Sequence, residues 1–335
     1  SVVDLLIASG MDINGRDTCG RTLLHTAMVS PCSSALLRSL LSRGAEVNAR
    51  AGSWRTPLHD AVRERRVELI EVMLEAGADP HARDILGRTP LFGLAFLQTM
   101  TMPYTAAIRL LGELGVDLRA RDSDGNTLLH YMAGDQHVDT YQPAVASLID
   151  EGHVDIHACD DTSSTPLHEA VRYRKINAVL KDLIANGADI SIRDRHQRTM
   201  LHLAAKYNGG YCEEIVQFLV SLGVDVNARD CDGRTALHVA GMVPRGEPMV
   251  QTLLCVGADP SICDDAGRTP YQPPAPHPYP TLANALGMDV HMRPLNIASQ
   301  QPRVGEKRTR EAGDERQDMK IAQRKWRTYT SGSSK

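Results

Sequence analysis

The stretch Thr56-Pro57-Leu58-His59-Asp60-Ala61 decides the fold, and Thr165-Pro166-Leu167-His168-Glu169-Ala170 repeats its pattern more than one hundred residues later. Threonine before an apolar run is a helix N-cap residue, because its hydroxyl accepts a hydrogen bond from a free helix N–H. The proline then takes the first helical position, where a missing N–H has no consequence. Each copy therefore predicts the start of a short helix.

This threonine recurs in phase with a second set of residues. Its copies are Thr22, Thr56, Thr89, Thr127, Thr165, Thr199, Thr235 and Thr269. Glycines that follow apolar helical patterns recur at the same period, at Gly10, Gly44, Gly77, Gly115, Gly152, Gly187, Gly223, Gly257 and Gly287. Such glycines end helices, and the Asp-, Asn- and Gly-rich segments after them are typical of turns or hairpins. Each unit is predicted to be helix, turn, helix and projecting loop, with apolar faces that only stacking can bury.

The period and the T-P-L-H-x-A motif resemble the ankyrin repeat. The resemblance covers residues 1–290 and implies an all-α ankyrin-repeat solenoid of stacked helix-turn-helix units with projecting β-hairpin loops. We count a half repeat, seven full repeats and a degenerate C-terminal repeat, in which Pro273 to Pro280 disfavour a first helix. Residues 291–335 form a charged tail that we expect to be disordered.

Some units depart from the pattern. Phe92 replaces the motif histidine, and Ser163 and Gln197 replace the hairpin glycine, so we expect those two tips to be less tight. The units that start at Thr89 and Thr127 are longer than the others, and we expect their extra residues, around 99–105 and 136–142, to form longer surface loops. Residues 1–9 resemble a second helix without its first, so we expect the chain to be a fragment of a longer protein.

Composition and charge exclude several function classes. The net charge is −4, although residues 303–335 hold ten Lys/Arg against five Asp/Glu, so the repeats are acidic and a nucleic-acid partner is not expected for them. Seven cysteines without a C-x-x-C pair, and no N-x-S/T site, favour a reducing intracellular compartment. We also find no apolar run long enough for a membrane span and no signal peptide.

The histidines do not indicate a metal or catalytic site. Six of the thirteen occupy the motif position, namely His25, His59, His130, His168, His202 and His238. The resemblance implies a structural role for them, within and between adjacent loops. Successive copies lie one repeat apart, about 10 Å, whereas zinc ligands lie about 2 Å from a common centre. No nucleotide-binding, protease or hydrolase motif is present. We therefore expect no metal, no cofactor and no enzyme activity.

The resemblance implies partner binding along a concave face, through hairpin tips and the exposed side of the first helix. The matching tip positions are Trp54, Arg55, Ile85, Leu86, Arg88, Arg195, His196 and Arg198. The matching helix positions are Arg63, Tyr131, Arg172, Tyr173, Lys206 and Tyr207. Ile85 and Leu86 have two interpretations: they pack on a neighbouring tip, or they contact a partner.

The sequence thus predicts a monomeric, non-catalytic scaffold or adaptor that binds other proteins, without specifying which. The alternative is a targeting segment of a larger protein whose catalytic or other module lies N-terminal to residue 1. A third interpretation, a nuclear regulator, depends on the basic residues Lys307-Arg308 and Lys320 to Lys325, but acidic residues interrupt them and a solvated tail is the favoured explanation. The predicted location is therefore cytoplasmic or nuclear.

Overall fold

The computed structural model describes residues 10–30, 32–64, 66–95, 104–113, 115–134, 142–150, 154–172, 178–207, 212–243 and 246–270. The chain divides into two compact units, Ser1–Asp189 and Ile190–Lys335. Among the described residues, every regular element is helical, and extended pairing is limited to an isolated antiparallel bridge between Arg121 and Thr127. The predicted all-α fold is confirmed, and its projecting loops are tight turns.

The first unit consists of short helices in pairs, with one 3₁₀ segment in place of a first helix. They are α1 (Leu23–Val29), α2 (Ser34–Ser42), α3 (Pro57–Arg63), α4 (Val67–Glu75), the 3₁₀ segment Pro90–Ala95, α5 (Tyr104–Glu113), α6 (Leu128–Ala133), α7 (Gln142–Asp150), α8 (Pro166–Arg172) and α9 (Ala178–Ala185). First helices pack on first helices, as α1 does on α3 and α6 on α8, and second helices pack on second helices. Leu58, Ala61, Leu91 and Leu94 are fully buried in the first row.

The second unit has the same arrangement in its described part. It contains α10 (Met200–Tyr207), α11 (Cys212–Ser221), α12 (Ala236–Met242) and α13 (Glu247–Cys255). First helix α10 packs on first helix α12, and second helix α11 packs on second helix α13. Each unit therefore buries its apolar faces by stacking like on like, as expected when one repeat cannot bury its own faces.

Both ends of these helices form as the sequence predicts. At α3, Thr56 and His59 form a reciprocal capping box, and Pro57 occupies the first turn. At the end of α4, Gly77 has a φ of 85° and its N–H donates to the Leu74 carbonyl, while the Ala78 N–H donates to the Met73 carbonyl. This pair of bonds is a Schellman motif, and it satisfies carbonyls that the helix end leaves open.

The motif histidines connect successive repeats. The Thr56 N–H donates to Nδ1 of His59 at 3.0 Å, so the ring proton is on Nε2, which lies 3.1 Å from the Arg88 carbonyl oxygen of the next loop. The same pair of contacts is made by His25, His130, His202 and His238. The structural role predicted for these histidines is thereby confirmed.

Phe92 breaks this pattern in the third repeat. Its ring is fully buried and contacts Tyr131 edge-on at a centroid distance of 5.5 Å. The phenylalanine ring has no nitrogen to which the N–H and hydroxyl of Thr89 could bond, as those of Thr56 do to His59. As a result, the Thr89 hydroxyl is buried without a hydrogen-bond partner among the described residues.

We predict that Thr89→Val and Thr56→Val change stability in opposite directions. Thr89→Val removes an unsatisfied buried hydroxyl and should stabilise the protein by about 1 kcal/mol. Thr56→Val removes the helix cap and its contact with His59, and should destabilise by roughly 1–2 kcal/mol. Urea unfolding of the two variants provides the measurement. If both substitutions changed the free energy of unfolding in the same direction, the Phe92 repeat would be capped like the others.

Some sequence expectations concern residues that the structure does not describe. The half repeat at residues 1–9, most of the two longer loops, the proline-rich final repeat and the charged tail lie outside the described residues. So does the candidate binding residue Tyr173. These expectations, including the array boundary at residue 290, remain predictions.

Candidate partner-binding surface

An aspartate closes the described projecting loops, except the loop that carries Trp54, where Ala51 takes its position. In the third repeat, Oδ1 of Asp84 accepts hydrogen bonds from the N–H groups of Leu86 and Arg88, and the Arg88 side chain donates to Oδ2. These hydrogen bonds hold the Asp84 pKa below its usual value, although burial acts to raise it. Aspartates that cap equivalent turns are Asp17, Asp122, Asp160, Asp194, Asp230 and Asp264.

The residue at the glycine position of each turn has a left-handed backbone, whatever its side chain. Gly87 has a φ of 73°, and Trp54, Ser163 and Gln197 have φ values of 62°, 58° and 58°. The Ser163 N–H donates to the Asp160 carbonyl at 3.0 Å, which closes the same turn that a glycine closes elsewhere. The expectation of looser tips at Ser163 and Gln197 is therefore wrong, because both residues adopt the conformation that glycine adopts more readily.

Arginines fix the spacing between successive tips. Nη1 of Arg83 donates to the Gly87 carbonyl of its own turn and to the Arg121 carbonyl of the next repeat, both at 2.7 Å. Arg193 makes the equivalent pair of contacts in the second unit, with Gln197 and Arg229. Sequence reasoning missed this role, although an arginine directly before the capping aspartate recurs in several repeats.

Backbone hydrogen bonds also join neighbouring tips. The Ile85 N–H donates to the Ser53 carbonyl at 3.1 Å, and the Ser123 N–H donates to the Leu86 carbonyl at 3.0 Å. In the second unit the Cys231 N–H donates to the His196 carbonyl at 2.9 Å. The tips within each unit are therefore a rigid row, and side chains on them are held in place before any partner arrives.

Three apolar side chains on this row form what we name the apolar tip patch: Trp54, Ile85 and Leu86. Their exposed fractions are 58%, 64% and 51%. Neither Ile85 nor Leu86 is buried against a neighbouring tip, which disfavours the packing interpretation, and their contact with a partner stays a prediction. The Arg50 guanidinium lies 5.7 Å from the Trp54 ring centroid, within cation–π range.

The candidate arginines of the first unit are mostly ion-paired. Nη2 of Arg55 lies 3.0 Å from Asp60, and Nη2 of Arg88 lies 2.7 Å from Asp84. Arg63 pairs with Glu64, and Arg172 pairs with Glu169. These ion pairs stabilise the turns and helix ends and fix the positions of the guanidinium groups.

Tyr131 is also anchored within the fold. Its hydroxyl donates to Oδ2 of Asp122 at 2.7 Å, and its ring is half-buried against Phe92. Burial, and then the Asp122 carboxylate, raise the Tyr131 pKa. Tyr131 therefore stabilises the turn that Asp122 closes.

The candidates of the second unit differ among themselves. Arg198 pairs with the turn aspartate Asp194 at 2.6 Å, whereas Arg195, Lys206 and Tyr207 are exposed. The Lys206 ammonium lies 5.2 Å from the Tyr207 ring centroid. Lys206 and Tyr207 are thus a surface pair of the kind common in protein interfaces.

A pocket of about 420 Å³ opens on the first unit next to the apolar tip patch. Two loop segments contribute to it, around Cys19 and around Ser53, and the helices α1 and α3 form its other side. We name it the inner pocket. Sequence reasoning did not find it, because its residues come from two repeats and have no common motif.

No group of three or more potential metal ligands occurs within the part of the chain that the structure describes. Over the same residues, none of the helices has the length and apolar character that crossing a membrane requires. Six cysteines are free thiols: Cys32 is buried, and Cys19, Cys159, Cys231, Cys255 and Cys263 are exposed.

A family model described as ankyrin repeats matches residues 1–84, 103–194 and 176–264. The chain is 39% identical over 83 residues to the palmitoyltransferase Hip14 of Drosophila melanogaster, and the matched segment makes up 24% of this chain and 13% of that protein. It is 38% identical over 96 residues to the nuclear factor NF-kappa-B p105 subunit of Gallus gallus, and that segment makes up 28% of this chain and 9% of that protein. It therefore spans only a small part of these relatives.

A 2-5A-dependent ribonuclease of Mus musculus is 46% identical over 55 residues, which is 16% of this chain and 8% of that protein. Among solved structures, the ankyrin repeat domain of Bcl-3 is similar, with a TM-score of 0.53 and 27% identity. That match covers 70% of this chain and 99% of the Bcl-3 domain.

Proposed function

This chain belongs to the ankyrin repeat family, and from that premise we propose that it is a non-catalytic scaffold that binds other proteins through its hairpin tips and first helices. The family's repeats are a protein–protein interaction module. The observation that carries the proposal for this chain is the apolar tip patch. Large apolar side chains on a rigid, water-exposed row gain free energy only when a partner covers them.

The expected partner surface is of ordinary size. A standard protein interface buries about 800 Å² per partner, an area that needs several successive tips rather than one. Tip side chains that are already ordered lose little entropy on binding, which favours affinity. Six free thiols among the described cysteines support an intracellular location, cytoplasmic or nuclear, as part of this proposal.

We expect substitution of the apolar tip patch to reduce partner binding without loss of stability. The full chain, tagged and immobilised, would be cross-linked to bound proteins, and the same measurement made on Ile85→Ser with Leu86→Ser. A patch at the centre of an interface should lose at least about tenfold in captured partner. Thermal unfolding of the double variant should match that of the wild type, because neither side chain is buried.

A control is Leu36→Ser, which replaces an apolar side chain that is also exposed, though less so at 39%, on α2 and away from the tips. It should leave capture unchanged. Tyr173→Ala with Tyr207→Ala tests the helix-face candidates in the same assay. Capture that is equal in the tip variant and in the wild type would contradict the proposal, as would a chain that captures nothing above an unrelated bait.

A second candidate function is that this array is part of a larger protein with an enzyme module, and that it localises the enzyme or recruits its substrate. Two relatives favour it, a palmitoyltransferase and a ribonuclease. The segments that match this chain are only 13% and 8% of the lengths of those two proteins. In that case the binding role of the repeats is the same, and catalysis belongs to another module. Determining the reading frame upstream of residue 1 would distinguish the two candidates.

A further inference from the structure

Arginine side chains are prominent in the lining of the inner pocket. Three of its lining side chains are arginines, Arg21, Arg55 and Arg63, whereas Asp60 is its single acidic lining residue. His25 lines the pocket too, and burial lowers its pKa, so it is neutral at pH 7. The lining of the pocket thus presents three guanidinium groups and one carboxylate next to the surface that the proposed function assigns to partners.

Each guanidinium is held from one side by a carboxylate. Nε of Arg21 lies 2.8 Å from Asp17, and Arg63 contacts Glu64 through Nε and Nη2. Arg55, with 23% of its side chain exposed, pairs with Asp60. A guanidinium has five N–H donors, and one carboxylate uses at most two of them. The arginines are thus positioned by these pairs and retain the donor capacity to bind a further anion.

The pocket also has an apolar wall and an apolar neighbour. Val29 lines it and is 41% exposed, which is unusual for a valine at the end of a helix that faces other helices. Trp54 follows Ser53 and precedes Arg55, both of which line the pocket. The Ile85–Ser53 backbone bond then places the rest of the apolar tip patch directly alongside.

Trp54 occupies a strained position. Equivalent turns have glycine there, as at Gly20, Gly87 and Gly125, because the left-handed conformation crowds a Cβ atom. A tryptophan with a φ of 62° and more than half of its surface exposed contributes little to the packing of the unit. Ser163 and Gln197 share this backbone conformation, so it is the exposure of the Trp54 ring that points to a role outside the fold.

We infer that the inner pocket and the apolar tip patch together bind one extended segment of a partner protein, in which an aspartate or glutamate enters the pocket and bulky apolar side chains cover the patch. The inference rests on the proposed function and specifies its partner. The guanidinium donors that the ion pairs leave unused select the acid, since arginines bind carboxylates in bidentate geometry. The exposed Trp54, Ile85 and Leu86 select the apolar residues.

The spacing of the two subsites sets the spacing in the ligand. The pocket lies between the first and second tips, and the patch lies on the second and third, so they are offset by about one repeat. Stacked helices are about 10 Å apart, and an extended chain advances about 3.3 Å per residue. The acidic and apolar residues of the bound segment should therefore be about three positions apart.

The test is a display selection of random dodecapeptides on the full chain, with the recovered sequences read as a population. The expected result is enrichment of Asp or Glu about three positions from Leu, Ile, Met or Phe. A recovered peptide, synthesised with Gln in place of its acids, should bind about tenfold more weakly in fluorescence anisotropy. Enrichment of basic or uncharged sequences, or the absence of any enriched pattern, would overturn the inference.

Three variants then locate the binding. Arg63→Gln should weaken the selected peptide about tenfold, whereas Arg38→Gln, which removes an exposed arginine paired with Glu75 on another part of the unit, should not change affinity. Trp54→Gly should also weaken binding, while it raises the thermal midpoint because the strain is removed. A residue with only a structural role would not lower affinity and raise stability together.

The Trp54 signal gives an independent readout. The chain has two tryptophans, so in a Trp326→Phe background the emission comes from Trp54 alone. Peptide binding should shift that emission to shorter wavelength. Unchanged emission, or equal affinity in Arg63→Gln, would place the peptide elsewhere and overturn this inference. The proposed function would still hold if the Ile85 and Leu86 substitutions reduced partner capture, so the two failures are distinguishable.

Discussion

Acidification from pH 7.5 to pH 5 should destabilise this protein by several kcal/mol, and unfolding at pH 5 should take up more than one proton. The cause is the set of buried motif histidines. Burial lowers the pKa of five of them, namely His25, His59, His130, His202 and His238. For His59 the pKa falls from 6.5 to about 4.

The direction follows from where the protons bind. In the folded state Nδ1 of His59 accepts the Thr56 N–H, and a proton on Nδ1 would face that donor. The unfolded state has no such restriction and binds protons from about pH 6.5 downward. Stability is therefore complete above this pH and is lost as the pH falls through the window between about 6.5 and 4. His59 alone accounts for about 3 kcal/mol over that window, and the other four histidines add to it.

Other buried acids act mainly outside this window. Hydrogen bonds from Arg88 and Arg268 lower the pKa values of Asp84 and Asp264 despite burial, so those carboxylates lose their contribution only below about pH 3.8. Glu169 has the opposite effect, because burial raises its pKa and protonation then favours the folded state. Acidification thus gains stability from one group and loses it from five, so the histidines determine the sign of the change in unfolding free energy.

The measurement is the free energy of unfolding in urea at half-unit pH steps. His59→Gln should be less stable at pH 7.5 yet lose less stability on acidification, because one titrating group is removed. His81→Gln, at an exposed histidine, should follow the wild-type curve. A free energy that stays constant between pH 7.5 and pH 5 would show that the motif rings are protonated as readily in the fold as in water.

Much of the repeat could be predicted from sequence because its signals are local. Thr56, Pro57 and His59 act within one turn of helix, and Gly77 acts at one helix end, so their residue types specify their roles. The helical repeat followed from these short-range rules, whereas the structural role of the histidines was implied by the family resemblance. The longer-range consequence, that Nε2 reaches the next loop's carbonyl, depended on the family resemblance.

The parts that sequence reasoning missed depend on contacts between repeats. Arg83 looks like any solvated loop arginine until the Gly87 and Arg121 carbonyls are placed on either side of it. The inner pocket likewise exists only when two loops and two helices are assembled. The error over Ser163 came from treating glycine as necessary at that turn, whereas the surrounding hydrogen bonds impose the left-handed backbone on serine.

The same chemical change at two glycines should have opposite effects. Gly93 lies in the 3₁₀ segment where it packs on α3, and a Cβ atom there would be 2.8 Å from the Arg63 backbone nitrogen and 3.1 Å from its Cα. Neither atom can move without shifting α3. Gly93→Ala should therefore destabilise the protein by about 3 kcal/mol, at the upper end of the usual range for overpacking.

Gly112 provides the matched control for that prediction. It lies within α5, and the nearest atom to an added Cβ is the Leu118 Cδ1 at 3.6 Å, an ordinary contact. Gly112→Ala should stabilise by roughly 0.5–1 kcal/mol, because alanine has the better helix propensity. Urea unfolding of both variants gives the comparison. A Gly93→Ala protein as stable as the wild type would mean that the 3₁₀ segment can move away from α3, and that the close backbone approach between these two repeats is not what holds them together.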